Sequence, residues 1–487
     1  MKTKKGVANF LESHAKEQPI SFHMPGHKGA AIYRKNGYGD FLDKIMDCDV
    51  TEIQGADNLF QTEGIILETM EKYKNLYDVT ASYLLINGSS GGLIAAIMAT
   101  VPEGKKIVMA RNSHKSIFNA LNLAKIQPVY AYPELTDFGI LGQITPTEIA
   151  ACLDQNPNAE AVILPSPNYY GICSDIKAIA KEVHSRGKVL IVDQAHGAHL
   201  KFFDEYVYEP AGKPLMSAEN LGADLIINST HKTLASFTQS AILNVNSDRI
   251  DKYLLEDKLQ LMESTSPSYI LMASLDINAD LILQKGKALI LDWENNLNYF
   301  YKKAKEIKGL KVMNGSNLDN TKINLDMSEL GIDGTTLEKL LIKENIFVEL
   351  VTGNIVMCMT GIGNTHSDYE KLLVALEKIS THSTDCAYKI EHHAHDSDEN
   401  KKYNALQQLS SKKLQLKSIP RKKKSVPIDE AFGKVSAASI IPYPPGIPII
   451  CPGEVMDQQV LAYVKELRHQ GYKVMGINAE GKVIVGE

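Results

Sequence analysis

Val189-Leu-Ile-Val-Asp-Gln-Ala-His196, running on into Gly197-Ala-His199, is the stretch that decides the fold of this 487-residue chain. Four apolar residues stop on an aspartate, the pattern of a short buried strand with a polar group at its carboxyl end. Similar apolar runs recur on both sides, at residues 83–86, 106–110, 128–131, 161–164, 225–227 and 241–245. Residues 93–100 and 176–186, lying between such runs, have helical spacing. This alternation predicts an α/β fold, with a mostly parallel sheet covered by helices on both faces.

Farther out the pattern changes. A helical periodicity covers 267–307, and behind it a smaller α+β unit is predicted over about 308–380. Its strands fall near 310–313, 322–325, 347–351 and 355–359, and its helices near 336–344 and 367–378. Ahead of the sheet, a helical pattern at 7–15 leads into Ser21-Phe-His-Met-Pro-Gly-His-Lys-Gly29, which reads as a loop because Pro and Gly punctuate it. Toward the end come the polar stretch Glu391-His-His-Ala-His-Asp-Ser-Asp-Glu399 and the basic run Arg421-Lys-Lys-Lys424. They precede Ile440-Ile-Pro-Tyr-Pro-Pro-Gly-Ile-Pro-Ile-Ile-Cys-Pro-Gly-Glu454, too rich in Pro and Gly for a helix and read as an extended, rigid connection. The expected division is 1–275 for the large domain with its N-terminal segment, 276–385 for the small domain, 386–425 for a polar linker and 426–487 for a C-terminal α+β appendage.

Composition narrows the function. Lys and Arg number 52 against 58 Asp and Glu, a formal charge of −6, which argues against a nucleic-acid binder. Six cysteines, with no CxxC pair, argue against a disulfide scaffold or a Cys-rich zinc site and fit a reducing cytoplasm. Residues 1–19 do not form a signal peptide, and the most apolar stretch, 93–101, is too short to span a bilayer. His392, His393 and His395 and the run Arg421–Lys424 are read as solvated, Cys451 as a buried structural thiol, and no metal is expected.

Three local patterns carry chemistry. Ser229-Thr-His-Lys-Thr-Leu234 puts Lys232 just after a strand, among hydroxyls and a histidine; a crowded ammonium has a lowered pKa and can form a Schiff base. Asp193 lies at the strand edge where α/β sheets bind ligands, and a carboxylate there can keep a pyridinium nitrogen protonated. Asn87-Gly-Ser-Ser-Gly-Gly92 joins a strand to a helix and offers amides and hydroxyls to an anion, without matching the dinucleotide or P-loop patterns. Taken singly each has an ordinary explanation: a solvated loop lysine, a helix-capping aspartate, a Gly-rich turn.

Their order, anion cradle then aspartate then lysine, is that of a pyridoxal phosphate enzyme, and the chain resembles the fold-type-I Orn/Lys/Arg decarboxylases. The resemblance covers nearly the whole chain. It rests on Phe22-His-Met-Pro-Gly-His-Lys-Gly29, Arg111-Asn-Ser-His-Lys-Ser116, Asp193-Gln-Ala-His-Gly-Ala-His199, Ser229-Thr-His-Lys232, Ser264-Thr-Ser-Pro-Ser-Tyr269 and Tyr443-Pro-Pro-Gly446 with Pro452-Gly-Glu454. The shorter, biosynthetic type is the closer match, since nothing before His23 has room for the receiver-like domain of the large acid-inducible members.

The resemblance implies an aspartate-aminotransferase-like large domain and a role for each matching residue. Lys232 would carry pyridoxal 5'-phosphate, Asp193 would pair with its ring nitrogen, and His114 and Ala195 would lie against its two faces. Gly88, Ser89, Ser90, Ser229 and His231 would hold its phosphate, with His196 also at the cofactor. Ser264 or Thr265 would reach the phosphate of a second subunit, which implies a homodimer. Glu454 is the candidate for the substrate's basic end, and His23 and His27 have no assigned role.

The implied reaction is decarboxylation of a basic amino acid, with arginine to agmatine first, then lysine to cadaverine, then ornithine. Holding the carboxylate perpendicular to the ring lets its bond electrons enter the conjugated system, and His114 and Lys232 are both candidates for acid work. Aminotransferase or carbon–sulfur lyase chemistry on the same fold is the alternative of another class. Against it, Met359-Thr-Gly-Ile-Gly-Asn-Thr-His366 lacks the arginine that many such aminotransferases place in the small domain.

Overall fold

The computed structural model describes residues 6–382, 414–443, 448–469 and 473–487. Its centre is a seven-stranded sheet. From one edge to the other the strands are Ala81–Leu85, Ala241–Val245, Leu225–Asn228, Val189–Asp193, Ala159–Pro165, Lys106–Ala110 and Gln127–Ala131. The last five are parallel to one another, and Ala241–Val245 runs against both of its neighbours. Ala81–Leu85 therefore points the same way as the parallel set, and six strands end at one edge.

The near-continuous apolar runs follow from burial on both faces. Ile107, Met109, Ile163, Ile191, Leu225 and Ile227 enter one core, whereas Val108, Ala110, Val162, Leu164, Leu190, Val192 and Ile226 enter the other. The period-two alternation of a strand thus feeds two apolar layers at once. Helices close both faces, among them Gly88–Thr100, Lys115–Ala124, Pro146–Gln155 and Ile176–Ser185. Thr145 and Asp175 cap the latter two by accepting hydrogen bonds from Glu148 N and Ala178 N.

The long helix Tyr269–Ala304 runs unbroken through 275 and 276, where the sequence reading draws a boundary. Its buried side chains, from Met272 to Phe300, share one core with the N-terminal segment and the smaller unit. That unit holds a four-stranded antiparallel sheet in the order Leu350–Thr352, Ile355–Met359, Lys322–Asp326 and Lys311–Val312.

Two local expectations are corrected. The single strand expected at 347–351 is two: Ile346–Val348 pairs in parallel with Ile20–Phe22, and Leu350–Thr352 joins the four-stranded sheet. The chain changes partners at Glu349. The loop expected from Ser21 therefore begins inside a strand, with Phe22 fully buried.

The C-terminal segment has its own small core around Val426, Ile450, Met456, Val464 and Val483. Lys423–Pro427 pairs with Lys482–Gly486, and Ile441–Tyr443 with Lys473–Met475. The stretch expected as an extended connection thus begins as a paired strand, while 444–447 lie outside the described residues. So do His392, His393 and His395 and most of the expected linker. Lys423 and Lys424 of the basic run are exposed. Among the described residues no disulfide forms, no cluster of metal-ligating side chains occurs, and no helix is long and apolar enough to cross a membrane.

Candidate active site

Six strand ends at one edge make the chemistry local. Asp193 closes Val189–Asp193, and Lys232 sits in the single turn Thr230–Thr233 that follows Leu225–Asn228. His114 caps the helix after Lys106–Ala110, and Ser89 opens the helix after Ala81–Leu85. All four line one pocket, with Asn112, Tyr169, Ala195 and His196.

Lys232 Nζ lies 2.9 Å from His196 Nε2, and the His196 ring lies against Tyr169 with centroids 4.5 Å apart. Burial holds the Lys232 amine below its ordinary pKa, while Asp193 and Glu349 pull it back up. Burial likewise raises Asp193, and Lys232 opposes that rise. The Asp193 carboxylate accepts from Ala195 N at 3.2 Å. The histidines around the pocket are kept neutral. Burial pushes His114 and His231 down to about 4, and His196 well below its ordinary value.

The cradle residues meet as well. Ser229 Oγ donates to Ser89 Oγ at 2.8 Å, joining the lysine turn to the Gly-rich helix start. Gly88 has φ +74°, and a Cβ there would lie 3.3 Å from Gln239 O. His231 directs Nδ1 at Ser240 O, 2.7 Å away, so Nδ1–H donates and Nε2 stays open.

The motif around His23 turns out to be a strap behind the lysine. Gly26 N donates to His231 O at 2.7 Å and Gly363 N to Gly26 O at 3.0 Å. A Cβ on Gly26 would lie 2.4 Å from Thr233 C, so only glycine fits. Lys28 directs its ammonium at the carbonyls of His23 and Met359, and burial lowers its pKa to about 7. The His23 ring lies near Phe347, and the His27 ring near Tyr33 and Phe237.

Several candidates do not line the pocket. Ser90 is exposed beside the cradle, and Ser264 and Thr265 are exposed on the chain's own surface. Glu454 is placed differently from the sequence expectation. It is fully buried, and it accepts from Arg111 Nε at 3.0 Å, Arg111 Nη2 at 2.9 Å and Cys451 N at 2.7 Å. What sets it apart is its ion pair: a buried guanidinium already matches its charge. Cys451 beside it is fully buried, with its thiol pKa raised by that burial.

Sequence reasoning missed Tyr169 and Glu349. Tyr169 follows the apolar run at 161–164, so the rule that ligands bind at carboxyl edges pointed to it. Glu349 accepts from Tyr169 Oη at 3.1 Å and from Met24 N at 2.9 Å. It sits where the chain switches sheets, a position that periodicity does not mark.

Comparison with known proteins identifies the family. The family model for the Orn/Lys/Arg decarboxylase major domain matches residues 7–325, and that for the C-terminal domain matches 398–483. The chain is 29% identical to an arginine decarboxylase of Bacillus subtilis, covering 96% of this chain and 94% of that one. It is 30% identical to an arginine decarboxylase of Halalkalibacterium halodurans over 95% and 93% of the two chains. Identity to the inducible lysine decarboxylase of Escherichia coli K12 is 24%, over 96% of this chain and 78% of that one. A lysine decarboxylase structure from Francisella novicida superposes with TM-score 0.75 at 20% identity, over 99% and 84% of the chains, which shows the shared fold. Motif order, strand-end geometry and two matched domains lead to one statement: the chain belongs to the Orn/Lys/Arg decarboxylase family of amino-acid decarboxylases.

Proposed function

We propose that the protein removes carbon dioxide from arginine to give agmatine, using pyridoxal 5'-phosphate held by Lys232. The observation that carries the choice of arginine is the graded similarity, 29% and 30% to arginine decarboxylases over nearly the full chain against 24% to a lysine decarboxylase.

The pocket's donor set fits the cofactor. An amine of lowered pKa, a buried carboxylate and hydroxyls at a Gly-rich helix start stand around one cavity. Asn112 Oδ1 and His196 Nδ1 are buried there without a hydrogen-bond partner. When bound, pyridoxal phosphate supplies an electron sink for the bond pair released as carbon dioxide leaves.

The residues' own tasks follow from their settings. Asp193 is held without a neutralising hydrogen bond from a cation, so it is available to a ring nitrogen and keeps a proton there. His114, neutral at working pH, would hold the cofactor ring by contact from one side, and Ala195 from the other. Its low pKa removes it from acid work near neutrality and leaves Lys232 Nζ to return the proton to carbon. Gly88, Ser89, Ser90, Ser229 and His231 receive the phosphate, and His196 steadies Lys232. Ser264 and Thr265, exposed here, serve the phosphate of a second copy, which makes the working unit a homodimer.

Glu349 replaces Glu454 as the residue for the substrate's basic end. It is a half-buried carboxylate bonded to the pocket residue Tyr169, and its charge reaches Lys232. Its oxygens accept from Tyr169 Oη and Met24 N, but among the described residues no cation is ion-paired to it, so its charge is left for a guanidinium.

The test is incubation of the cofactor-loaded protein with arginine, lysine and ornithine separately, scoring amine and carbon dioxide. Agmatine with stoichiometric carbon dioxide is expected. Cadaverine or putrescine instead would move the substrate assignment, and keto-acid product without carbon dioxide would overturn decarboxylation. Loaded wild type should be yellow and Lys232→Ala colourless.

A further inference from the structure

We propose that Lys322, ion-paired to Asp319, is a positioning residue for this reaction: it reaches from the four-stranded sheet under the loop after Val189–Asp193 and fixes His196 against Lys232. Lys322 is fully buried, and all three of its N–H groups are placed. They go to His196 O at 2.5 Å, Asp319 Oδ2 at 2.7 Å and Thr321 Oγ1 at 3.1 Å. The same Asp319 faces His199 Nε2 at 3.1 Å and accepts from Thr321 N at 3.0 Å. One ammonium–carboxylate pair therefore grips the loop twice, at the carbonyl of residue 196 and the ring of residue 199.

The other end of the loop is held separately. Gln194 donates to Glu219 at 2.8 Å and Asn228 at 3.0 Å, and accepts from Ala218 N at 2.7 Å. At Gly197 a Cβ would lie 2.6 Å from Pro167 Cδ, so the turn admits no side chain. His196 itself has no such anchor on its outer nitrogen, since Nδ1 is buried without a partner. Its ring direction is set by the backbone that Lys322 holds, by Tyr169 and by Lys232.

A buried ion pair is a poor device for stability compared with well-packed apolar residues, because both charges must be desolvated. What it supplies is direction and charge. Around the Lys232 amine, Asp193 and Glu349 favour protonation, Lys322 opposes it, and His114 and His196 are neutral. Removing Lys322 should therefore loosen His196 and make Lys232 easier to protonate.

The inference rests on the proposed role of Lys232, so its test uses a readout that needs no cofactor. Acetylation of Lys232 by acetic anhydride in cofactor-free protein is followed against pH by peptide mass spectrometry. In Lys322→Met the midpoint should rise by about one pH unit, a tenfold change in proton affinity. In loaded protein kcat for arginine should fall about tenfold or more with KM nearly unchanged, as for lost orientation. Because Lys322→Met leaves Asp319 buried and unpaired, the pair Asp319→Asn with Lys322→Met is made too, and it should show the same two shifts. An unchanged midpoint and kcat in either folded variant overturns the proposal, as does a double variant that circular dichroism shows to be unfolded. Failure of wild type to turn yellow with pyridoxal phosphate overturns the cofactor reading alone, since the acetylation midpoint still decides the role of Lys322.

Discussion

Asp193 and Glu454 are both buried carboxylates in motifs that the sequence reading treats as functional, and the chain surrounds them in opposite ways. Asp193 ends a central strand, lines the pocket and accepts from Ala195 N. Its nearest cation, Lys232, acts through the field without an ion-pair contact. Glu454 meets the fork of Arg111 and a backbone amide, and Arg111 also donates to Pro448 O and Ile449 O while lying over Tyr130. A carboxylate left short of partners beside a cavity is prepared for something that arrives; one saturated by a buried guanidinium is a strut. Substitutions can break this contrast if it is wrong.

The largest expected effect belongs to Asp193→Asn. Geometry is retained, and the charge that would keep a ring nitrogen protonated is lost. We expect kcat to fall about a thousandfold or more, roughly 4 kcal/mol of transition-state stabilisation. The melting temperature should hold or rise, because a costly buried charge is gone. A stability loss with near-normal kcat would put Asp193 in Glu454's class.

Glu454→Gln should do the reverse. Leaving the Arg111 guanidinium buried without its carboxylate costs about 3 kcal/mol, read by urea unfolding. The folded fraction should keep its kcat and KM for arginine within about twofold, a margin below 0.5 kcal/mol. A raised KM at unchanged stability would restore Glu454 to the substrate.

The same contrast explains what could be read in the sequence. All seven strands of the central sheet were legible to within one or two residues, because burial on both faces leaves an unbroken apolar run between turn residues. Lys232, Asp193 and Ser89 could be singled out because they stand at or just past strand ends, whereas His114 was carried by the family resemblance alone. Glu349 was not: five residues of strand-like character, 347–351, hide the change of partner that exposes it. Arg111 and Glu454 lie far apart in the chain, and nothing local tells a saturated carboxylate from an available one. The pairing of Lys322 with the loop at His196 is of the same long-range kind.

Glu349→Gln tests the replacement reading at smaller scale. Loss of one carboxylate toward a guanidinium should raise KM for arginine about tenfold, near 1.4 kcal/mol, with a lesser change in kcat. If KM stays put, Glu349 merely fixes Tyr169, and Tyr169→Phe should then reproduce whatever change Glu349→Gln makes.

A last prediction extends the contrast from carboxylates to histidines. His114, half-buried, and His231, buried, are both held near 4 by desolvation, against an ordinary value of 6.5. In the unfolded chain both take a proton as pH falls through about 6.5; in the folded chain they resist until about 4. The unfolded state thus binds more protons in that window, and stability falls with falling pH. Above about 6.5 their contribution is complete, and below about 4 no further loss comes from them. Urea midpoints of cofactor-free protein between pH 7 and 4 should show this decline, and His231→Gln should flatten it, because Gln has no proton to gain. An equally steep decline in His231→Gln would move the pH sensitivity to other groups and leave His231 as a neutral donor to Ser240 O.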